Sequence, residues 1–166
     1  MPTAGAVLSD CGRYRYRLFR SWGQSKRRVL WVMLNPSTAD HQKDDPTIRK
    51  CVAFSKAWGY SSLEVVNLYG IRSTDPSILG IDGNAIGDEN DGAVRQALAN
   101  EDVELVVCAW GTKNPRPERA PAVLQLIEAS GRVPMCLHVT KGGHPGHPLY
   151  LRSTLRPIPL TEETKA

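Results

Sequence analysis

Residues 28–36 read RVLWVMLNP. A continuous run of apolar β-formers, closed by an Asn-Pro turn signal, predicts a buried strand over residues 28–34. The next segment has the pattern of a helix. Asp45-Pro46 supplies an N-cap and a first-turn proline, and Ile48, Cys51, Val52 and Ala57 recur at helical spacing as far as Gly59. The alternation then repeats. LEVVNL over residues 63–68 predicts a second strand, and a loop rich in Gly, Ser, Thr, Asp and Pro runs over 70–87. A helix is expected over 88–100, with Val94, Ala97 and Leu98 as its apolar stripe. VELVVCA, 103–109, reads as a third strand stopped at Trp110-Gly111. A helix over 119–130 and a strand over 134–139 complete the series. Upstream, residues 13–22 alternate Arg13, Arg15 and Arg17 with Tyr14, Tyr16 and Leu18, which predicts a half-buried edge strand with its arginines outward. Short apolar strands alternating with helices define an α/β chain. The expected architecture is a three-layer α/β/α sandwich around a central, mostly parallel four-stranded sheet, with an N-terminal edge strand. At 166 residues, the chain is read as one domain, 1–166.

Composition narrows the classes further. Hydrophobic residues are 41% and charged residues 23%, a globular balance that argues against disorder. No stretch approaches the ~20 apolar residues of a bilayer span, and the N-terminus lacks the apolar core of a secretory signal. The four cysteines, Cys11, Cys51, Cys108 and Cys136, form no C-x-x-C pair, so reduced thiols in a cytoplasmic protein are expected. The net charge is +4, but it is unevenly spread. Between Asp10 and Asp40 there is no acid, while Arg13, Arg15, Arg17, Arg20, Lys26, Arg27 and Arg28 are all basic. A second acid-free window, 131–161, holds Arg132, Lys141, Arg152 and Arg156. Two such windows on one small domain predict a basic face suited to phosphates; a solubilising surface is the alternative.

In open α/β sheets ligands bind beyond the carboxyl ends of the strands. Four segments fall there: 35–45, 67–75, 110–116 and 141–150. In the first, Asn35-Pro36 makes a rigid turn that projects an amide, and Ser37 and Thr38 are phosphate-binding candidates. The plain alternative is an Asn that caps its own turn. Asp40, His41, Asp44 and Asp45 offer metal-donor atoms, but at no standard metal spacing, and no metal is expected. In the second, Asn67 ends a strand with an amide that matches a nucleobase edge. Arg72 is a phosphate candidate, and the basic loop of the third segment adds Lys113. In the fourth, KGGHPGHPLYL, His144 and His147 sit in a proline-fixed loop where an imidazole can stabilise a developing anion. Lys141 joins the phosphate candidates. Leu149 and Tyr150 form an apolar pair of the kind that wedges into a base stack; packing against the core is the alternative. There is no G-x-G-x-x-G, P-loop, G-x-S-x-G or H-E-x-x-H motif, which weighs against nucleotide-cofactor oxidoreductases, P-loop enzymes, α/β-hydrolases and zincins.

NPSTAD, DDPTIRKC, WGY, VVNLYGIRSTDP, AWG and HPLYL, in this order, resemble an uncharacterised family of small bacterial and phage domains across residues 13–159. More distantly, the order of landmarks resembles the uracil-DNA glycosylase superfamily. That resemblance implies that Asn35, in MLNPS, orients the attacking water. It also implies that Asn67 reads the flipped base, with Arg72 downstream, and that a histidine stabilises the leaving base. Either His144 or His147 fits that last motif, and His147 is preferred because it begins the more distinctive HPLYL. There are departures. The uracil-specific branch has a catalytic Asp where this chain has Asn35, the glycine after Asn-Pro is Ser37, and the cysteines lack iron–sulfur spacing. Phe54 or Tyr69 would have to stack on the base.

Together these residues read as a monofunctional DNA glycosylase-like hydrolase acting on a damaged or modified base by flipping it. Asn35, His147 and Asp44 are the catalytic candidates, and Asn67, Tyr69 and His144 contact the base. Ser37, Thr38, Arg72, Lys113, Lys141 and Tyr150 hold nucleic acid. No cofactor is expected, DNA is preferred over RNA as partner, and the protein is expected to be a monomer. The rivals are a hydrolase of free nucleotides and a non-catalytic nucleotide- or nucleic-acid-binding module.

Overall fold

The computed structural model describes residues 3–160. In chain order the elements are β1 (Thr3–Leu8), β2 (Arg15–Ser21), β3 (Arg28–Met33), α1 (Pro46–Ala57), β4 (Ser62–Asn67) and α2 (Ile78–Ile81). Then come α3 (Asn90–Ala99), β5 (Val103–Cys108), α4 (Arg119–Ala129), β6 (Pro134–Cys136), a 3-10 turn (Pro148–Tyr150) and β7 (Ile158–Pro159). The chain is α/β, as its sequence pattern predicts. The sheet is larger and more mixed than expected. It has seven strands in the order β1-β2-β4-β3-β5-β6-β7. Parallel pairing joins β4 to β3, β3 to β5 and β5 to β6. The outer pairings, β1 with β2, β2 with β4 and β6 with β7, are antiparallel. The added strands β1 and β7 lie at the edges, where short segments need no long apolar run to pair.

Strand β3 alternates between two cores. Leu30 and Val32 point to one face, where α3 and α4 contribute Val94, Ala97, Leu98, Val123 and Ile127. Val29, Trp31 and Met33 point to the other, where α1 contributes Ile48, Cys51 and Phe54. Trp31 is fully buried and stacks on Trp58 with ring centroids 5.7 Å apart. Its indole N–H donates to Ser55 Oγ at 3.0 Å, so the buried polar edge is satisfied. Helix α1 begins as its sequence dictates. The Asp45 carboxylate accepts the Ile48 N–H at 2.9 Å, and Pro46 occupies the first turn.

The expectation that the arginines of β2 face outward is overturned. Opposite Val7/Leu8 the register of β2 skips Tyr16, a β-bulge. The extra residue breaks the period of two. Arg17 reaches Glu64 on the α3 side, while Arg15 is buried and bonds the Ala39 carbonyl beside α1. Nor does the basic window make a free basic face. Arg13 pairs with Asp82, Arg17 and Arg28 with Glu64, Arg20 with Asp44, and Arg27 with Glu104. Cys51, Cys108 and Cys136 are buried, Cys11 is exposed, and all four are unpaired. No helix among the described residues is long and apolar enough to cross a membrane.

Glu64 is fully buried in the middle of β4 and holds two arginines, with Arg17 Nε donating at 2.6 Å. Glu64→Ala leaves both guanidiniums without their acceptor and is expected to cost about 3 kcal/mol of stability in urea unfolding.

Candidate functional site

The four parallel strands run in the order second, first, third, fourth of their succession in the chain. The chain leaves β3 for β4 on one side and returns past it to β5 on the other. The loops leaving the carboxyl ends of β3 and β5 therefore part at a topological switch point, where α/β sheets bind ligands. A cleft of about 470 Å³ opens there, within the range of small-molecule sites. Its floor is formed by the ends of β3 and β4, and its walls by the start of α1 and the loops after β5 and β6.

Asn67 lies on the floor. It shares a strand face with Leu63 and Val65, is paired in register with Met33, and is 1% exposed. Its backbone is braced from the other face. Asn90, at the start of α3, donates to the Asn67 carbonyl at 2.9 Å, and Arg119 Nε donates to the Leu68 carbonyl at 2.6 Å. The side-chain amide has no such partner: neither Oδ1 nor Nδ2 meets a protein hydrogen-bonding group among the described residues. A buried amide left with one donor side and one acceptor side open costs stability unless a ligand meets it.

Asn35 lines the same cleft and behaves differently. Its Nδ2 donates to the carbonyls of Ser73 at 2.9 Å and Pro36 at 3.1 Å, which locks the amide. Its Oδ1 takes no protein donor among the described residues and stays available to a ligand or water. Across the cleft, His147 Nδ1 accepts the Leu149 N–H at 3.2 Å, which places the ring proton on Nε2. Burial pulls the imidazole pKa below its ordinary value, against a weaker opposing pull from Asp45. The loop carrying His147 packs tightly on Gly111. That glycine has φ +74°, and a Cβ there would lie 3.3 Å from His147 Cβ.

Of the residues singled out from sequence, Asn35, Ser37, Asn67, Lys113, His147 and Tyr150 line the cleft. The others do not. Asp44 turns away to Arg20, 2.7 Å from its Nε. It is the next residue, Asp45, that faces the cleft while capping α1. Tyr69 is buried in the opposite core, bonded to Asn114, because it follows Asn67 by two residues after the strand has ended. Phe54 packs between Trp31 and Trp58. Thr38 is exposed outside the cleft, and Arg72 donates to the Gly12 carbonyl. His144 and Lys141 are exposed in the loop closed by the Val139–Pro145 bridge. Among the lining residues that the sequence did not single out as site residues, Arg15 is delivered by the bulge in β2, and Trp110, read as a strand stop, borders the cleft while its side chain packs in the α3/α4 core. No three His, Cys, Asp or Glu side chains gather as a metal site among the described residues.

Fold and cleft thus define an α/β protein with a cleft at the switch point of its sheet. Residues 15–149 match the family described as protein of unknown function (DUF1643), and the chain belongs to that family. No curated protein and no solved structure matches the chain.

Two outcomes test the site. Asn67→Leu replaces two unmet polar groups by methyls on a side chain of the same branched shape, with the cleft to take the added bulk, so it is expected to raise stability by about 1 kcal/mol in urea unfolding while weakening ligand binding. His147 titrates below the unfolded value of ~6.5. The unfolded chain then binds more protons between the two values, so stability falls as pH drops from ~6.5 through the folded pKa. That acid-side loss is expected to shrink in His147→Gln, measured by unfolding at a series of pH values.

Proposed function

We propose that this protein is a uracil-DNA-glycosylase-like hydrolase, an α/β/α enzyme that cleaves the N-glycosidic bond of a damaged or modified base flipped out of DNA. The observation that carries the reading is the buried, unpartnered amide of Asn67 on the cleft floor. One donor and one acceptor, fixed side by side, complement the edge of a nucleobase. Asn35 and His147, two further positions of the superfamily resemblance, line the same cleft, whereas Arg72 does not.

The chemistry is set by the free atoms. Asn35 Oδ1 accepts a hydrogen bond from water and aims it at C1′. The C1′–N bond breaks and its electron pair stays on the base nitrogen. The water oxygen bonds C1′, and its proton passes to the Asp45 carboxylate. His147 Nε2–H and Asn67 Nδ2–H donate to the departing base and favour the charge that develops there. The products are the free base and an abasic strand. Met33, Ile48 and Val65 give the flipped base an apolar wall. Tyr150, 90% exposed at the rim, and Leu149 beside it are placed to fill the gap left in the stack. Unstacking costs a few kcal/mol, least for a damaged pair, which selects such bases.

A second reading, hydrolysis of free nucleotides in the same cleft, is favoured by the ion pairs that occupy most of the basic N-terminal window. It needs no extended basic face.

The test is incubation with oligonucleotides carrying uracil, hypoxanthine, methylated, oxidised or glucosylated bases, and then mild alkali to reveal abasic sites. One modified base is expected to be released, with the rate falling at least a hundredfold in Asn35→Ala. Release from 5′-mononucleotides alone selects the second reading. Release from neither overturns both.

A further inference from the structure

Among the described residues Arg15 is the one cation buried in the cleft wall. It is 2% exposed, and its bulge-delivered side chain reaches the start of α1. Nη1 donates to the Ala39 carbonyl at 2.9 Å. Nε is buried with no acceptor, and among the described residues no carboxylate forms an ion pair with Arg15. The other arginines of β2 are treated differently by the fold: Arg17 is held by Glu64, and Arg20 by Asp44. Asp45 and Asp40 lie near enough to favour the Arg15 charge, while Arg72 and Arg20 oppose it. Asp40 is engaged with the N–H groups of Gln42 and Lys43, and Asp45 with that of Ile48. Burial pushes the Arg15 pKa down to about 10, so the group remains a cation at neutral pH. A buried guanidinium with open donors demands an anion. Ser37, Thr47, Ser73 and Thr74 line the same cleft and add hydroxyl donors, and the amino end of the 12-residue helix α1 opens onto it.

We propose that Arg15 makes an anion subsite in the cleft, holding the phosphate of a nucleotide whose base lies against Asn67. The proposal rests on the base-reading role given to Asn67 above and adds the part of the substrate that the base does not supply. It assigns the ligand class as a nucleoside phosphate rather than a nucleoside or a free base. The bound species is either a free mononucleotide or the nucleotide unit of a strand, and the phosphate chemistry is the same for both.

Isothermal titration of the full chain tests this with the four common 5′-mononucleotides and dUMP, their matched nucleosides, inorganic phosphate, and a short single-stranded oligonucleotide. At least one mononucleotide is expected to bind tenfold or more tightly than its nucleoside, with inorganic phosphate competing. Arg15→Met is expected to bring the nucleotide down to the affinity of the nucleoside and to leave the nucleoside within about threefold. Arg15→Lys keeps the charge and is expected to retain part of the preference. Asn67→Leu is expected to do the converse, losing nucleoside binding while inorganic phosphate still binds. Equal affinity for nucleotide and nucleoside in the unaltered protein overturns the proposal without recourse to any variant. A phosphate preference undiminished in Arg15→Met overturns it as well. If the oligonucleotide alone shows the Arg15-dependent preference, the phosphate is that of a strand; if the mononucleotide shows it, a free nucleotide suffices. An Arg15-dependent phosphate preference with no base release from any substrate would remove the hydrolytic reading and leave the anion subsite standing. Base release unchanged in Arg15→Met, with no phosphate preference, would do the reverse.

Discussion

Strand β3 has a parallel neighbour on each side, and the site depends on that placement. The chain must cross from β3 to β4 and then back past β3 to β5. The two crossovers carry α1 to one face and α3 to the other, so both faces are covered and β3 is buried throughout except at its first residue. The same reversal parts the loops at the carboxyl end. Nothing else in the fold would bring Asn35, Asn67 and Trp110 to one cleft, because they leave three different strands in three different directions.

The chain satisfies its buried polar groups almost everywhere else. Glu64 holds Arg17 and Arg28, Trp31 finds Ser55, and Arg119 finds Asp91 and the Leu68 carbonyl. Against that background the unmet atoms are informative. They are Asn67 Oδ1 and Nδ2, Arg15 Nε and Asn90 Oδ1, and the first three belong to residues lining the cleft. A fold that pairs its buried charges yet leaves an amide and a guanidinium open in one cavity has retained a local instability there. The two open groups differ in kind. An amide recognises another amide-like edge, and a guanidinium recognises an oxyanion, so together they describe a ligand with both.

The neutral histidine fits the same description. With Nδ1 engaged by Leu149 and burial disfavouring the cation, the ring presents a donor at Nε2 without carrying a charge near Arg15. Asp45 has a double position: one oxygen caps α1 while the residue faces the cleft. A helix start that projects into a ligand site couples the stability of α1 to the chemistry beside it.

Local physics made much of this legible in the sequence. The apolar run before Asn35-Pro36, the Asp45-Pro46 cap and the repeated strand–helix alternation each depend on neighbours within a few residues. They located β2 to β6 and the helices α1, α3 and α4, and through the strand-end rule they placed Asn35, Asn67 and His147 at the cleft. Tertiary structure decided the rest. Whether an arginine is outward or buried depends on a one-residue bulge in the pairing of β2 with β1, which no period in the sequence announces, and so Arg15 and Arg17, both expected outward, reach opposite faces of the sheet. Asp44 and Asp45 are adjacent and chemically alike, yet the helix start turns one to Arg20 and the other to the cleft. The N-terminal window reads as a basic face because the acidic partners of five of its seven cations lie elsewhere in the chain: Glu64 in β4, Glu104 in β5, and Asp44 and Asp82 in loops. Short-range pattern fixes which element a residue belongs to; long-range pairing fixes what its side chain meets, and for this protein the second is what separates a structural arginine from one that waits for a ligand.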